Sequence, residues 1–265
     1  MIGFDPYAAA DLLLAHRAAR RVAGPLPAEI APRDMTEAAA VQRAMAERRG
    51  ALPIGGFKIG ATGRRMQAHL GIDHPCAGFM AAADIHAGPC ELPCAAFRSP
   101  KIECELAVRL GRDLPAGPYS VDAVADAVDA LFAAIEIVEN RYGPSPIGDI
   151  AAIGLPTVVA DQFYHAAAVT GAPLAAWRTV DLVGIEGRAA VDGVTLNSGR
   201  GGELLGHPLR GLAWLAGDAV AAGFGGLRAG QVVLLGSVMP PVALDGPCEV
   251  RIAFDGLADV RLRLV

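Results

Sequence analysis

The sequence predicts an α+β domain built on a mixed β-roll or barrel-like sheet. Three observations predict it: an alanine-rich, helix-patterned start, short alternating apolar runs from Gly55 onward, and the turn pairs Asp192-Gly193 and Asp255-Gly256 between such runs. Asp-Gly supplies the positive φ angles that close β-hairpins. Helices do not alternate regularly with the strands, which argues against a doubly wound parallel sheet. Residues 1–54 are therefore read as a helical N-terminal region and residues 55–265 as the main domain.

Taken in order, Ala8 to Arg21 reads as a first helix, and Pro25, Pro27 and Pro32 separate it from a second. Proline lacks the backbone donor that a helix interior needs. Thr36 is expected to cap that second helix, which runs through Val41 and Met45 to Arg49 and stops at Gly50. Gly56-Phe57-Lys58-Ile59-Gly60 is strand-like, and Arg64 to Leu70 makes one or two helical turns. A strand over Lys101 to Val108 leads to a turn at Gly111 to Pro118. Ser120 then caps a helix expected to carry Val121, Val124, Val128, Leu131 and Phe132 on one face, with a strand around Glu136 directly after it. Pro208 opens a further helix, with Leu209, Leu212, Leu215 and Val220 on one face and its end at Gly223. The last thirty-five residues read as all-β, and there is no internal repeat or low-complexity tail.

Glu103, Glu105 and Glu136 stand in apolar, strand-forming surroundings. Residues i and i+2 of a strand share a face, which places Glu103 and Glu105 together, roughly 6.6 Å apart along the chain. Like charges on one inward face repel unless they share protons or converge on a cation. The metal reading competes with a solvated pair of glutamates matched to Lys101 and Arg109. Oxygen donors without nearby His or Cys favour Mg²⁺, Mn²⁺ or Ca²⁺, and three carboxylates leave room for water or a chelating substrate.

Other polar residues have competing readings. Lys58 lies between glycines that allow close backbone approach, and is either a surface cation or a group that holds a substrate carboxylate or moves a proton. Asn197-Ser198-Gly199-Arg200-Gly201-Gly202 matches no nucleotide-binding pattern. It is either a flexible connection or an anion-binding turn in which Ser198 and Arg200 face a substrate. The histidines show neither HExxH nor paired spacing, the sequence contains no GxSxG nucleophile elbow, and His165, which follows Asp161-Gln162 within a polar break, is the histidine of most interest.

Composition narrows the function classes. A net charge of −5 argues against a general nucleic-acid surface and leaves small molecules as the expected partners. No apolar run reaches the ~20 residues of a membrane span, and the start lacks the order of a secretory signal, so a cytoplasmic protein with no membrane partner is expected. Five cysteines without CxxC spacing fit reduced thiols, while Cys90 and Cys94 form at most half of a soft metal site.

Six segments in unbroken order, over about residues 35 to 265, resemble the fumarylacetoacetate hydrolase superfamily, in its 2-keto-4-pentenoate hydratase and 4-oxalocrotonate decarboxylase branch. They are Gly-Phe-Lys-Ile-Gly at 56–60, Pro-Lys-Ile-Glu-Cys-Glu-Leu-Ala at 100–107, Ile-Glu-Ile-Val-Glu-Asn-Arg-Tyr at 135–142, Val-Val-Ala-Asp at 158–161, Ser-Gly-Arg-Gly-Gly-Glu-Leu-Leu-Gly-His-Pro-Leu at 198–209 and Leu-Arg-Ala-Gly-Gln-Val-Val-Leu-Leu-Gly-Ser at 227–237. The resemblance implies a catalytic domain over 55–265, Mg²⁺ or Mn²⁺ on Glu103, Glu105 and Glu136, and Lys58 in the active site. It also implies a homo-oligomer and a lyase that hydrates a 2-hydroxy-2,4-dienoate or 2-oxo-4-enoate in aromatic-compound catabolism. Lys58 and Glu105 are then the catalytic candidates, and Lys58, Ser198, Arg200 and Gln162 the substrate-binding ones. Two departures from the pattern bear on the reaction. Cys76 stands where hydratases of this type carry Asp, and Gln162 stands where the Val-Ala-Asp motif usually continues with Asn. These keep open decarboxylation of a 4-oxalocrotonate-like dioate and a catalytically silent, 2-oxo acid-binding member.

Overall fold

The structure, a computed structural model, describes residues 3–20, 22–143 and 150–265. Helices α1 (Pro6–Ala19) and α2 (Met35–Arg48) come first, followed by β1 (Gly56–Gly60), α3 (Arg64–Leu70), β2 (Cys76–Met80), β3 (Ile85–Ala87), β4 (Cys90–Leu92) and β5 (Pro100–Leu110). The middle contains α4 (Val121–Ala125), β6 (Val128–Glu139), α5 (Ile150–Ile153), α6 (Leu155–Ala160), β7 (His165–Thr170), β8 (Glu186–Val191) and β9 (Val194–Arg200). Helices α7 (Leu209–Ala216) and α8 (Ala219–Gly223) precede the final strands β10 (Val232–Ser237), β11 (Val242–Ala243), β12 (Cys248–Phe254) and β13 (Val260–Leu264).

Among the described residues the strands form two sheets, and the expected mixed, rolled architecture is present. The larger sheet has eight strands in the order β2-β1-β10-β5-β6-β7-β3, with β11 attached to β5, and curls into a half-barrel. The smaller has five, in the order β4-β13-β12-β8-β9. Most pairings are antiparallel, whereas β1 with β10, β3 with β7 and β4 with β13 run parallel. Strands β5 and β6 form the spine, paired from Pro100–Glu139 to Leu110–Val128.

Register determines which side chains share a face. Gly78, Lys58, Leu234, Ala107 and Phe132 form one cross-strand row. Ser237, Glu105, Ala134 and Thr170 form the next, and Glu103, Glu136 and Ala168 a third. All three lie on the face that carries the small apolar cluster of Met80, Ala107, Phe132, Ala134, Ala168 and Leu234. The opposite face, with Ile102, Leu106, Ile135 and Ile137, belongs to the main core.

Three local expectations are corrected. Asp34, not Thr36, caps α2: its side chain accepts from the Glu37 N–H at 2.9 Å, and a carboxylate at that position also suits the helix dipole. The Ser120-capped helix ends at Ala125, and Val128, Leu131 and Phe132 lie on β6. That strand is buried on both faces over most of its length, and such a run does not alternate, so its apolar spacing imitated a helix. The helix from Pro208 breaks at Gly217, and Asp218 caps a second short one through the Val220 N–H. The expected end of the first helix at Arg21 lies outside the described residues. Both Asp-Gly turns close antiparallel pairs, β8–β9 and β12–β13.

Helix α2 is tied to the sheet by a buried amide. Gln42 Nε2 donates to the carbonyls of Ala77 and Val159, and its Oε1 accepts from the Phe79 N–H. This anchors β2, the strand beside Lys58, to α2 and α6. All five cysteines are free, and among the described residues no helix is long and apolar enough to cross a membrane.

Candidate metal centre

Glu103 and Glu105 come from β5 and Glu136 from β6, directly opposite Glu103. One carboxylate oxygen from each lies within 4.8 Å of the others, so the three residues singled out by spacing converge. Glu105 and Glu136 are fully buried, while Glu103 is half-buried and marks the side open to solvent. Glu105 Oε2 accepts from the Gly236 N–H at 2.8 Å. Glu105 Oε1 and Glu136 Oε2 are buried and have no hydrogen-bond partner. Two bare carboxylate oxygens in a buried cluster of hard donors fit a divalent cation such as Mg²⁺, Mn²⁺ or Ca²⁺. Cys and His ligands are absent from this cluster, which disfavours zinc.

The electrostatics follow from this crowding. Burial and the Glu136 charge push Glu103 up to about 7. Burial, Glu136 and Glu103 also hold Glu105 well above the usual carboxylate range. For Glu136 burial acts in the same direction, but Lys58 and His165 more than offset it and keep the group below that range. Lys58, only 2 % exposed, has its Nζ 3.3 Å from Glu136 Oε1. Burial disfavours its charge, yet the three glutamates outweigh burial and raise its pKa, so it remains an ammonium.

His165, the residue that the sequence marked only by its polar setting, is fully buried at the start of β7, with its Nδ1 2.8 Å from Glu136 Oε1. Burial lowers its pKa against the pull of Glu136. A neutral ring donating from Nδ1 leaves Nε2 as an acceptor, and Nε2 has no partner. No sequence motif pairs Glu136 with a residue 29 positions later; a bulge in the β6–β7 register next to Val138 creates the contact.

The segment between Asp161 and His165 closes over Lys58. Gln162, Phe163 and Tyr164 have φ of 59°, 46° and 71°, three consecutive side-chain-bearing residues in the left-handed region. Each such residue costs about 1–2 kcal/mol, so the segment must be held from outside. Asp161 is gripped by Arg17 at 2.6 Å, by Arg141 at 3.2 Å and by the Tyr142 hydroxyl at 3.1 Å. Gln162 Nε2 donates to the Phe79 carbonyl at 2.5 Å, and Arg141 donates to the carbonyl of His165. The Phe163 ring then covers the ammonium, with Lys58 Nζ 5.0 Å from the ring centre. The glycines around Lys58 make this possible. A Cβ on Gly60 would sit 2.4 Å from the Phe163 ring, and one on Gly78 would sit 2.7 Å from the Gln162 carbonyl oxygen. The close approach anticipated at these glycines is made by the protein's own chain.

Other singled-out residues lie around this centre or apart from it. Gln162 is fully buried, and its Oε1 is unpartnered. Cys76 is buried on β2 opposite Gly60, and burial pushes its thiol up to about 12. Ser198 and Arg200 are exposed on β9 in the smaller sheet, while Gly199 between them packs against the Val238 backbone just beyond Ser237.

Comparison with known proteins places the chain among relatives of known sequence and structure. The sequence pattern of the fumarylacetoacetate (FAA) hydrolase C-terminal family matches residues 58–265. A 2-keto-4-pentenoate hydratase of Burkholderia vietnamiensis is 35% identical over 206 residues, covering 78% of this chain and 76% of the relative. A 2-keto-4-pentenoate hydratase of Dechloromonas aromatica is 33% identical over 261 residues, covering 96% and 95%. Among solved structures, 4-oxalocrotonate decarboxylase from Pseudomonas putida G7, complexed with magnesium and adipate, superposes with a TM-score of 0.86 at 25% identity, over 98% of this chain and 97% of that one.

Proposed function

Since this chain belongs to the fumarylacetoacetate hydrolase family, we propose that it is a carbon–oxygen lyase that hydrates a 2-hydroxy-2,4-dienoate or its 2-oxo-4-enoate tautomer, such as 2-keto-4-pentenoate. The observation that carries the reading is the convergence of Glu103, Glu105 and Glu136 beside the buried ammonium of Lys58. Glu103, Glu105 and Glu136 would hold Mg²⁺ or Mn²⁺. A bound divalent cation supplies Lewis-acid stabilisation of the negative charge that develops on the substrate's C2 oxygen.

The chain's own groups account for the rest. Lys58 Nζ donates to the substrate carboxylate and is the buried proton donor of the site. Glu105, oriented by the Gly236 N–H on its Oε2, is the carboxylate that takes a proton from water. Water's oxygen bonds to one alkene carbon as its proton passes to Glu105, the neighbouring carbon takes a proton from Lys58 Nζ, and the proton on Glu105 then restores the ammonium. His165 fixes Glu136 through Oε1 and leaves Oε2 directed to the cluster. Phe163 shields Lys58 from water, which strengthens each of these interactions. Gln162 Oε1 is available to a hydroxyl of the substrate, and Ser198 and Arg200 would meet its distal end from β9. A homo-oligomer belongs to the same reading, because Val194 and Leu196 stand exposed on the edge strand β9, where a second copy would cover them.

One observation favours a second reaction. A Cys76 thiol pushed up to about 12 cannot replace a carboxylic acid in proton transfer near neutral pH, and decarboxylation of a 4-oxalocrotonate-like dioate does not need one there. The deciding experiment follows loss of 2-hydroxypenta-2,4-dienoate absorbance with Mg²⁺ or Mn²⁺, and CO₂ release from the dioate in parallel. Hydration without CO₂ release supports the first reading, and CO₂ release alone replaces it. Inertness towards both would leave a silent 2-oxo acid-binding member. Light scattering tests the assembly.

A further inference from the structure

Away from the glutamates, the end of α1, the segment entering β5 and the chain leaving β6 border a polar cavity of about 40 Å³. It is lined by His16, Arg17, Arg20, Arg98, Glu139 and Arg141. One water needs about 10–15 Å³, so the space exceeds that of a single solvent molecule. Its wall is cationic. Four guanidinium groups meet one lining carboxylate, Glu139, which accepts from the Arg98 backbone N–H and lies 3.7 Å from Arg141. Asp161, behind the wall, is shared by Arg17 and Arg141. Two carboxylates thus face four guanidiniums. Burial, and secondarily the charge of Arg141, hold Arg17 below its usual range against the pull of Asp161.

The donors are also incompletely used. Among the described residues Arg98 Nη1 is a buried donor without a partner, and His16 Nδ1, a donor or an acceptor according to its tautomer, is also buried and unpartnered. Arg20 spends one donor on the Phe97 carbonyl at 3.0 Å and otherwise stands exposed at the rim. Buried donors without acceptors are rare in folded proteins, and guanidinium forks match the geometry of oxygen anions.

We propose that this cavity binds a small oxyanion, either inorganic, such as sulfate or phosphate, or the carboxylate of a small organic acid. The anion accepts from Arg98 Nη1 and from the free donors of Arg20, and it neutralises the excess charge between α1 and β6. The site is separate from the glutamate cluster, although Arg141 links the two through the His165 carbonyl. It does not depend on the reaction proposed above.

Isothermal titration calorimetry of the full chain, dialysed against EDTA so that the glutamates hold no cation, tests the proposal. Sodium sulfate and sodium acetate are the probes, with sodium chloride at equal ionic strength as reference. One saturable site is expected, weakened about tenfold or more by Arg98→Gln and by Arg20→Gln, since each removes a charge-assisted donor. Binding of sulfate alone identifies an inorganic ligand, and binding of acetate alone identifies an organic acid. Absence of binding beyond chloride, or binding unchanged in both variants, overturns the site. Arg20→Gln, at an exposed position, decides the matter if Arg98→Gln disturbs folding.

Discussion

In the five-stranded sheet Arg188 meets Asp255 at 2.8 Å, Arg251 meets Asp259 at 2.7 Å, Arg261 meets Glu249 at 2.8 Å and Arg263 meets Glu91 at 3.0 Å, all at the surface. In the larger sheet three glutamates converge on one buried lysine and one neutral histidine. The first arrangement pairs each charge with an opposite one in water and contributes only about 0–1 kcal/mol per pair. The second leaves negative charge unmatched where solvent cannot screen it. Folding alone would not select the second arrangement. A surplus of buried acid against one ammonium is intelligible as a seat for a cation, whereas the surface ladder suits solubility and strand register.

This contrast can be broken experimentally, beginning where the effect is largest. Glu105→Gln is expected to lower dienoate turnover by about a thousandfold or more, the loss of several kcal/mol of charge stabilisation, while the metal-free protein folds as well as or better than the parent. Steady-state kinetics and urea melts check this, and a metal-free variant less stable than the parent would contradict the account of repelling carboxylates. Lys58→Met removes the ammonium beside Glu136 and is expected to destabilise the metal-free protein by about 3–5 kcal/mol. Part of that stability should return on adding Mg²⁺, as read by thermal melting; no recovery would mean that the cation does not seat there.

His165→Leu leaves Glu136 Oε1 to Lys58 alone and is expected to weaken Mg²⁺ binding about 10–100-fold by calorimetry, with His165→Gln recovering part of the loss because it can still donate. Equal affinity in parent and His165→Leu would remove His165 as a positioning residue. At the small end, Arg263→Ala is expected to change unfolding free energy by less than about 1 kcal/mol and to leave metal affinity unaltered. A larger effect would show that the surface ladder contributes more than its exposure allows.

Much of the candidate site was legible in the sequence. Glu103 and Glu105 share a face because strand geometry has a period of two, and Glu136 betrays itself as a charge inside an apolar strand. The Asp-Gly turns likewise announce their hairpins through local chemistry. What escaped local reading depends on distant segments. The helix expected from Ser120 through Phe132 failed because burial on both faces of β6 erases alternation. His165 needed the β6–β7 register and its bulge, and the function of Gly60 and Gly78 needed the left-handed segment packed against them from about a hundred residues away.

The sequence by itself therefore determined which groups are available: three strand-borne carboxylates, a lysine among glycines, and a thiol in place of an expected acid. Local periodicity and residue chemistry suffice for that. Only the tertiary structure decided how the groups act. It placed Glu136 opposite Glu103, held its Oε1 with His165, covered Lys58 with Phe163, and gathered four arginines from the end of α1, the chain just past β6 and the approach to β5 around one cavity. Those relations come from strand register and long-range packing, where the energy of burying charge is settled by neighbours far away in the chain.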